Sequence, residues 1–166
     1  MSEVNEELGS IEKSDDYFTA TLIRFLDHSQ QAVWTVLTEP GRFVDWLAPG
    51  EIELSKGGRA RLNFVDSGIV IDSLVTECEV PALLEYSWSS GDEPLRPVRW
   101  QLQTDDGRTR LTLTLRVPQD EDVARSCAGW EAHLMMLLAS MEGASIRFPF
   151  ERFQSTRQAY NEMLAD

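Results

Sequence analysis

The fold of this chain is decided by residues 98–142, which read VRWQLQTDDGRTRLTLTLRVPQDEDVARSCAGWEAHLMMLLASME. On either side of Asp106-Gly107, a strong hairpin signal, apolar and polar residues alternate and predict two antiparallel strands. Residues 123–142 then show a helical period and predict a long helix with one broad apolar stripe. The inward strand residues are Val98, Trp100, Leu102, Leu111, Leu113, Leu115 and Val117, and the stripe contains Trp130, Leu134, Leu137, Leu138 and Met141. Such a sheet and such a helix are expected to pack on each other.

The rest of the chain adds strands and helices around this unit. A helix capped by Asp27 or Ser29 is expected after the first strand, and a helical turn over 42–47. Further strands are predicted over 17–26, 59–66, 69–80 and 84–88, and a last helix over 151–164. Because the strands are clustered and do not alternate with helices, the pattern predicts one α+β domain over 17–166 with an antiparallel sheet covered on one side.

Residues 1–16 differ from this domain in composition. Six acidic residues face a single base, Lys13, and the few apolar residues follow no period. A segment of this kind cannot bury enough surface to offset its ordering entropy. We expect a disordered acidic tail, and a partner-binding arm is the alternative.

Composition excludes several classes of protein. The chain has 166 residues and a formal net charge of −13, which argues against binding to nucleic acid or to anionic membranes. No apolar run approaches the length of a bilayer span, and no signal-peptide pattern opens the chain. Cys78 and Cys127 form neither a disulfide framework nor a zinc motif. An acidic, soluble, cytoplasmic protein is therefore expected.

Several local motifs occur together in one order along the chain. They are Ala32–Thr38, Thr38-Glu39-Pro40, Trp46-Leu47, Lys56–Arg59, Thr76–Pro81, Leu83–Trp88, Thr109–Leu113 and Gly129-Trp130. In this order and spacing the sequence resembles the activator-of-heat-shock-ATPase (Aha-type) homologue family of the START-like, or SRPBCC, superfamily, over roughly residues 17–142. The resemblance implies a helix-grip fold, in which a curved antiparallel sheet wraps around the long C-terminal helix. It also implies a cavity between them that is open at one end and suited to an apolar small molecule.

Residues for acid–base or metal chemistry are few. His28 and His133 are the two imidazoles, and Leu137 occupies the position where a second ligand would follow His133. Asp72 is predicted on the face of Val70 and Leu74, where burial would raise its pKa; a solvent-exposed position is the alternative. Cys78 is expected to be a small buried residue. We predict no catalytic residue, no metal site and no cofactor, with His133 as a polar anchor at a pocket rim.

Aromatic side chains carry the hypothesis of a binding site. Large rings with few polar groups are typical of apolar ligand cavities, although plain core packing would account for each of them singly. The residues predicted to bind ligand are Phe64, Tyr86, Trp88, Trp100, Leu113, Trp130, His133, Leu134 and Leu138.

Three functions follow from this interpretation, in order of preference. The first is non-enzymatic binding of an apolar or aromatic small molecule between the sheet and the long helix. The second is a co-chaperone-like interaction module that regulates a heat-shock ATPase, and the third is a cyclase- or hydrolase-type enzyme that uses His133 or Asp72. A homodimer or a chaperone partner stays open, and neither nucleic acid nor membrane is expected as a partner.

Overall fold

A computed structural model describes residues 8–64 and 67–165 of the chain. The strands are β1 Ser10–Lys13, β2 Tyr17–Leu26, β3 Gly50–Ile52, β4 Arg59–Phe64, β5 Ile69–Glu79, β6 Leu83–Ser87, β7 Pro97–Asp105 and β8 Arg108–Pro118. The helices are α1 Gln30–Thr38, α2 Pro40–Trp46, α3 Val123–Met141 and α4 Phe150–Ala165. The strands pair antiparallel in one sheet with the order β1-β2-β8-β7-β6-β5-β4-β3. The predicted α+β, helix-grip architecture is confirmed.

Local signals fix where the main elements begin and end. Ser29 caps α1, since its side chain accepts a hydrogen bond from the amide of Ala32 at 3.1 Å. Asp122 caps α3 in the same way, through the amide of Arg125 at 3.0 Å. The β7–β8 hairpin turns at Asp106-Gly107, where both residues have positive φ angles of 54° and 83°. Such a turn matches the right-handed twist of the flanking strands, which explains why this dipeptide predicts the hairpin correctly.

The core lies between the inner face of the sheet and the three helices α1, α2 and α3. The predicted inward phase of the β7–β8 hairpin is confirmed: Val98, Trp100, Leu102, Leu111, Leu113, Leu115 and Val117 are all buried. β2 contributes Ala20, Leu22 and Leu26 to the same layer, and α3 contributes Trp130, Leu134 and Leu137. A long helix is thus held against the concave sheet by apolar contact along its length.

The predicted tail over 1–16 is corrected where the structure describes it. Ser10–Lys13 forms the edge strand β1, which pairs with Phe18–Thr21 of β2. The amide of Gly9 also donates a hydrogen bond to the hydroxyl of Tyr160 at 2.7 Å. The composition of this segment did not predict β1, because an edge strand is held by backbone hydrogen bonds, which need no apolar side chains. The remainder of the predicted tail, residues 1–7, lies outside the described residues.

Candidate functional site

The aromatic residues predicted to line a cavity do come together between the sheet and α3. Ring centroids are 4.7 Å apart for Trp88 and Trp130, 5.6 Å for Trp100 and Trp130, and 5.7 Å for Phe64 and Trp88. Trp46 at the end of α2 packs edge-to-face on Trp100 at 5.6 Å. These distances are those of direct aromatic contact, so the rings fill the space between them with one another.

Burial divides the predicted binding residues into two groups. The fully buried ones pack in the core and are Tyr86, Trp100, Leu113, Trp130 and Leu134. The half-buried ones are Phe64, Trp88, His133 and Leu138. We call Phe64, Trp88, Trp130 and His133 the aromatic cluster. Neither of the two cavities that the structure describes is lined by it.

His133 is held in one tautomer within this cluster. Its Nδ1 lies 2.8 Å from the carbonyl oxygen of Trp46, so Nδ1 carries the proton and donates, and Nε2 keeps its lone pair. The ring packs against Phe64, Trp130 and Phe148, with centroids 6.0, 5.6 and 5.5 Å away. Burial lowers the pKa of His133, against the opposing effect of the hydrogen bond to Trp46. The imidazole is therefore neutral at pH 7 and can accept, but not donate, a hydrogen bond through Nε2.

One cavity of the described chain lies on the other flank of α3. A groove of about 370 Å³ opens between the end of β2, the second half of α3 and the first turn of α4. It is lined by Arg24, Phe25, Leu26, Asp27, His28, Glu131, Met135, Leu138, Met141, Glu142 and Arg152. Its volume is within the range of small-molecule sites, which begins at about 300 Å³. We call it the β2–α3 groove; of the nine predicted binding residues, Leu138 alone lines it.

A buried ion pair forms the floor of this groove. Arg24 of β2 donates through Nη2 to Oε1 of Glu131, and the two side chains are 3% and 0% exposed. Tyr160 of α4 donates its hydroxyl proton to Oε2 of Glu131 at 2.5 Å. The same hydroxyl accepts from the amide of Gly9. Each oxygen of the buried carboxylate thus has a donor, which is the condition under which a buried charge is tolerated.

The pKa values on this floor follow from the same packing. Burial and the adjacent charge of Glu131 raise the pKa of Tyr160, so its hydroxyl keeps its proton and acts as a donor. Burial raises the pKa of the neighbouring Cys127 thiol to about 12, with a further contribution from Glu131. Cys127 is therefore an un-ionised, unreactive side chain of the core.

Charged and polar side chains stand at the rim of the groove. His28, after β2, lies with Nε2 2.6 Å from Oε2 of Glu142, after α3. Arg152 stands in the first turn of α4 and is half-buried. The contact between His28 and Glu142 therefore joins the two walls of the groove.

Asp72 does not face the core. Its side chain pairs with Arg59 on β4, both carboxylate oxygens lying 2.9 Å from Nη2, and that hydrogen bond lowers its pKa. Val70 and Leu74, which lie on the same face of β5 as Asp72, are 39% and 56% exposed. The prediction of an apolar face was wrong, and the solvent-exposed alternative holds. Ile71 and Val75 form the buried phase of β5, so both faces of this strand carry apolar residues and alternation could not choose between them.

Arg24 and Glu131 were missed by the sequence reasoning, although β2 carries a signal. Ala20, Leu22 and Leu26 form the buried phase of that strand, and Arg24 stands in the same phase. A basic residue among inward apolar positions indicates a buried partner, because an unpaired charge could not remain there. The partner could not be identified in advance, since Glu131 is 107 residues away along the chain.

Residues 27–142 match the family model described as Activator of Hsp90 ATPase homolog 1-like protein. The chain belongs to this family. The match begins directly after β2 and runs through α3. It covers six of the eight strands and the long helix, and it confirms the resemblance seen in the sequence. Residues beyond it include Gly9, Arg24 of β2 and Tyr160 of α4, which all contribute to the floor of the groove.

Solved structures share the fold of this chain. CalU16 from Micromonospora echinospora is 19% identical, with a TM-score of 0.77 and 96% coverage of both chains. A conserved protein of unknown function from Enterococcus faecalis is 20% identical, with a TM-score of 0.82 over 98% of this chain and 94% of that one. DynU16, from the dynemicin biosynthetic locus, is 26% identical, with a TM-score of 0.70 over 80% of this chain and 49% of its own. No curated protein matches the sequence.

Within 8–64 and 67–165, no three His, Cys, Asp or Glu side chains are grouped so as to hold a metal ion. No helix of that part of the chain has the length and apolar character needed to cross a bilayer.

Proposed function

We propose that this protein binds an apolar or aromatic small molecule, without chemical conversion, in the β2–α3 groove. The observation that carries the proposal is the groove itself: about 370 Å³ between the sheet and the long helix. Its walls include Leu26, Met135, Leu138 and Met141, so most of a ligand's surface would meet aliphatic or thioether groups. Methionine side chains adapt to ligands of varied shape, which suits a site of broad specificity.

The family and one structural neighbour support this choice. Proteins of the family typically bind hydrophobic ligands. DynU16, which shares the fold, is a protein of the dynemicin biosynthetic locus. Binding between sheet and long helix was expected from the sequence, but on the aromatic side of α3. The proposal keeps the kind of ligand and moves the site to the flank where the structure describes a groove.

The aromatic cluster has a supporting role in this proposal. Trp130 of α3 packs on Trp88 of this cluster, directly after β6, and on Trp100 of β7, and these contacts hold α3 against the sheet. A rigid contact on one flank of the helix keeps the opposite flank in place, so that the groove exists before ligand arrives. Such pre-organisation lowers the entropic cost of binding.

A matched pair of substitutions tests the site. Met135→Trp places an indole in the groove from a position that is 44% exposed, so the fold should tolerate it. Met163→Trp makes the same change at a position of α4 that is 37% exposed and does not line the groove. The probe is N-phenyl-1-naphthylamine, a neutral apolar dye whose fluorescence rises on binding.

We expect Met135→Trp to weaken dye binding at least tenfold, because the indole takes the space of the ligand, and Met163→Trp to leave it within twofold. A third variant, His133→Ala, tests whether the dye binds at the aromatic cluster instead. If His133→Ala no longer binds the dye while Met135→Trp still does, the binding site is the aromatic cluster and not the groove. Equal affinity in all four proteins would refute a site between sheet and helix.

The co-chaperone function is retained as the alternative because of the family to which the chain belongs. It is tested by adding the chain to the Hsp90-type ATPase of its own host. Saturable, several-fold stimulation would favour this function over ligand binding. A catalytic role has less support, since Asp72 is held by Arg59 at the surface and His133 has no carboxylate partner among the described residues.

A further inference from the structure

The charged groups of the β2–α3 groove differ in how far their hydrogen-bonding capacity is used. Both carboxylate oxygens of Glu131 are occupied, by Arg24 and by Tyr160. Glu142 is engaged by His28 across the rim. The acceptors inside the groove are therefore largely satisfied by the protein itself, and Asp27 is an exposed residue at its edge.

The donors are not satisfied to the same extent. A guanidinium has five N–H groups. Arg24 uses Nη1 for the carbonyl of Ile23 at 2.9 Å and Nη2 for Glu131. This side chain is 3% exposed and still lines the groove. The N–H groups of this guanidinium beyond those two bonds can donate to a ligand that brings an acceptor.

Arg152 provides a second cation on the opposite wall. Within the described residues its side chain makes no ion pair and no hydrogen bond. It stands in the first turn of α4, where the helix dipole already adds positive potential and disfavours a cation. This guanidinium is half-buried, has no ion pair among the described residues, and lies at the positive end of the helix dipole. An anion that enters the groove would therefore stabilise it.

From these observations, and resting on the proposed function, we propose that the groove selects an apolar ligand that carries an anionic oxygen group, such as a carboxylate or sulfonate. The apolar part lies on Leu138 and Met141, and the anionic group binds Arg152 and the spare donors of Arg24. The net charge of −13 disfavours anions over the surface as a whole, so the preference arises locally, from these two guanidinium groups.

Two dyes that differ by a single group test this selection. 8-Anilinonaphthalene-1-sulfonate has the ring skeleton of N-phenyl-1-naphthylamine and adds one sulfonate. We expect the intact protein to bind the sulfonate dye about tenfold more tightly, in the range given by one charge-assisted hydrogen bond. Arg152→Gln should remove most of this difference by weakening the sulfonate dye alone. Arg147→Gln, at an exposed arginine outside the groove, should change neither affinity.

The outcomes separate the selection from the proposed function. Equal affinity for both dyes, or a sulfonate preference that survives Arg152→Gln, would overturn the selection while leaving apolar binding in the groove intact. Failure of both dyes to bind, or binding of both that Met135→Trp leaves unchanged, would overturn the proposed function as well. Circular dichroism and the melting temperature of Arg152→Gln verify that its fold is retained, as expected for a half-exposed side chain with no ion pair among the described residues.

Discussion

Replacement of Tyr160 by phenylalanine would remove one oxygen atom from the floor of the groove and leave the ring in place. That oxygen donates to Glu131 at 2.5 Å and accepts from the amide of Gly9 at 2.7 Å. A hydrogen bond to a charged group contributes about 1.5–3 kcal/mol, and the buried carboxylate would be left one donor short. We therefore expect Tyr160→Phe to lower the free energy of unfolding by about 3 kcal/mol.

In a chain of this size, 1 kcal/mol corresponds to about 2–4 °C in melting temperature, so the midpoint should fall by about 6–12 °C. Tyr17→Phe is the control, since its ring lies under the guanidinium of Arg116 at 4.4 Å and that contact does not need the hydroxyl. Urea unfolding followed by tryptophan fluorescence measures both variants. The amide of Gly9 should also exchange faster with solvent in Tyr160→Phe. Equal stability of the two variants, with Gly9 unchanged, would show that the reasoning about this hydroxyl is wrong.

Four further predictions concern other parts of the fold. Asp122→Ala should cost about 1 kcal/mol in urea unfolding through loss of the α3 cap, and Asp122→Asn, which can still cap, should cost less. Because burial lowers the pKa of His133, the unfolded chain takes up a proton first on acidification; stability should fall as the pH drops below about 6.5, and His133→Gln should flatten this fall in pH-dependent melting. Deletion of residues 1–16 should lower the melting temperature by several degrees, because β1 and its bonds to β2 are lost; an unchanged melting temperature would support the tail predicted from composition. Trp100→Leu should cost about 2–4 kcal/mol in chemical denaturation, since its indole is 1% exposed and contacts two other tryptophans.

The sheet and the long helix were predictable because their burial is periodic in sequence. In β8 every second residue is buried, and a single register satisfies that pattern. The 19-residue helix α3 has one apolar flank, and it begins at the residue that the sequence indicates. Local turn chemistry at Asp106-Gly107 and the Ser29 cap complete this predictable part, since each depends on a few neighbouring residues.

The groove could not be predicted in the same way. Its walls come from β2, α3 and α4, which are adjacent only after folding, and its floor joins Arg24 to Glu131. The two described cavities are not lined by the aromatic cluster, because large rings contact one another when geometry allows, as Trp88 and Trp130 do at 4.7 Å. Volume that remains unfilled depends on the difference between shapes, which composition does not contain.

The link between Gly9 and Tyr160 has a consequence for how the protein is made. These residues are 151 positions apart, so their hydrogen bond forms only after Tyr160 has been made and α4 has left the ribosome. β2 is made early and carries Arg24 toward the interior, but the carboxylate that neutralises it is translated 107 residues later. At a synthesis rate of about 5–20 residues per second, the nascent chain spends several seconds with an uncompensated inward charge on its first long strand. During that interval burial of the strand is penalised, and the sheet closes over its core only after α3 and α4 have emerged.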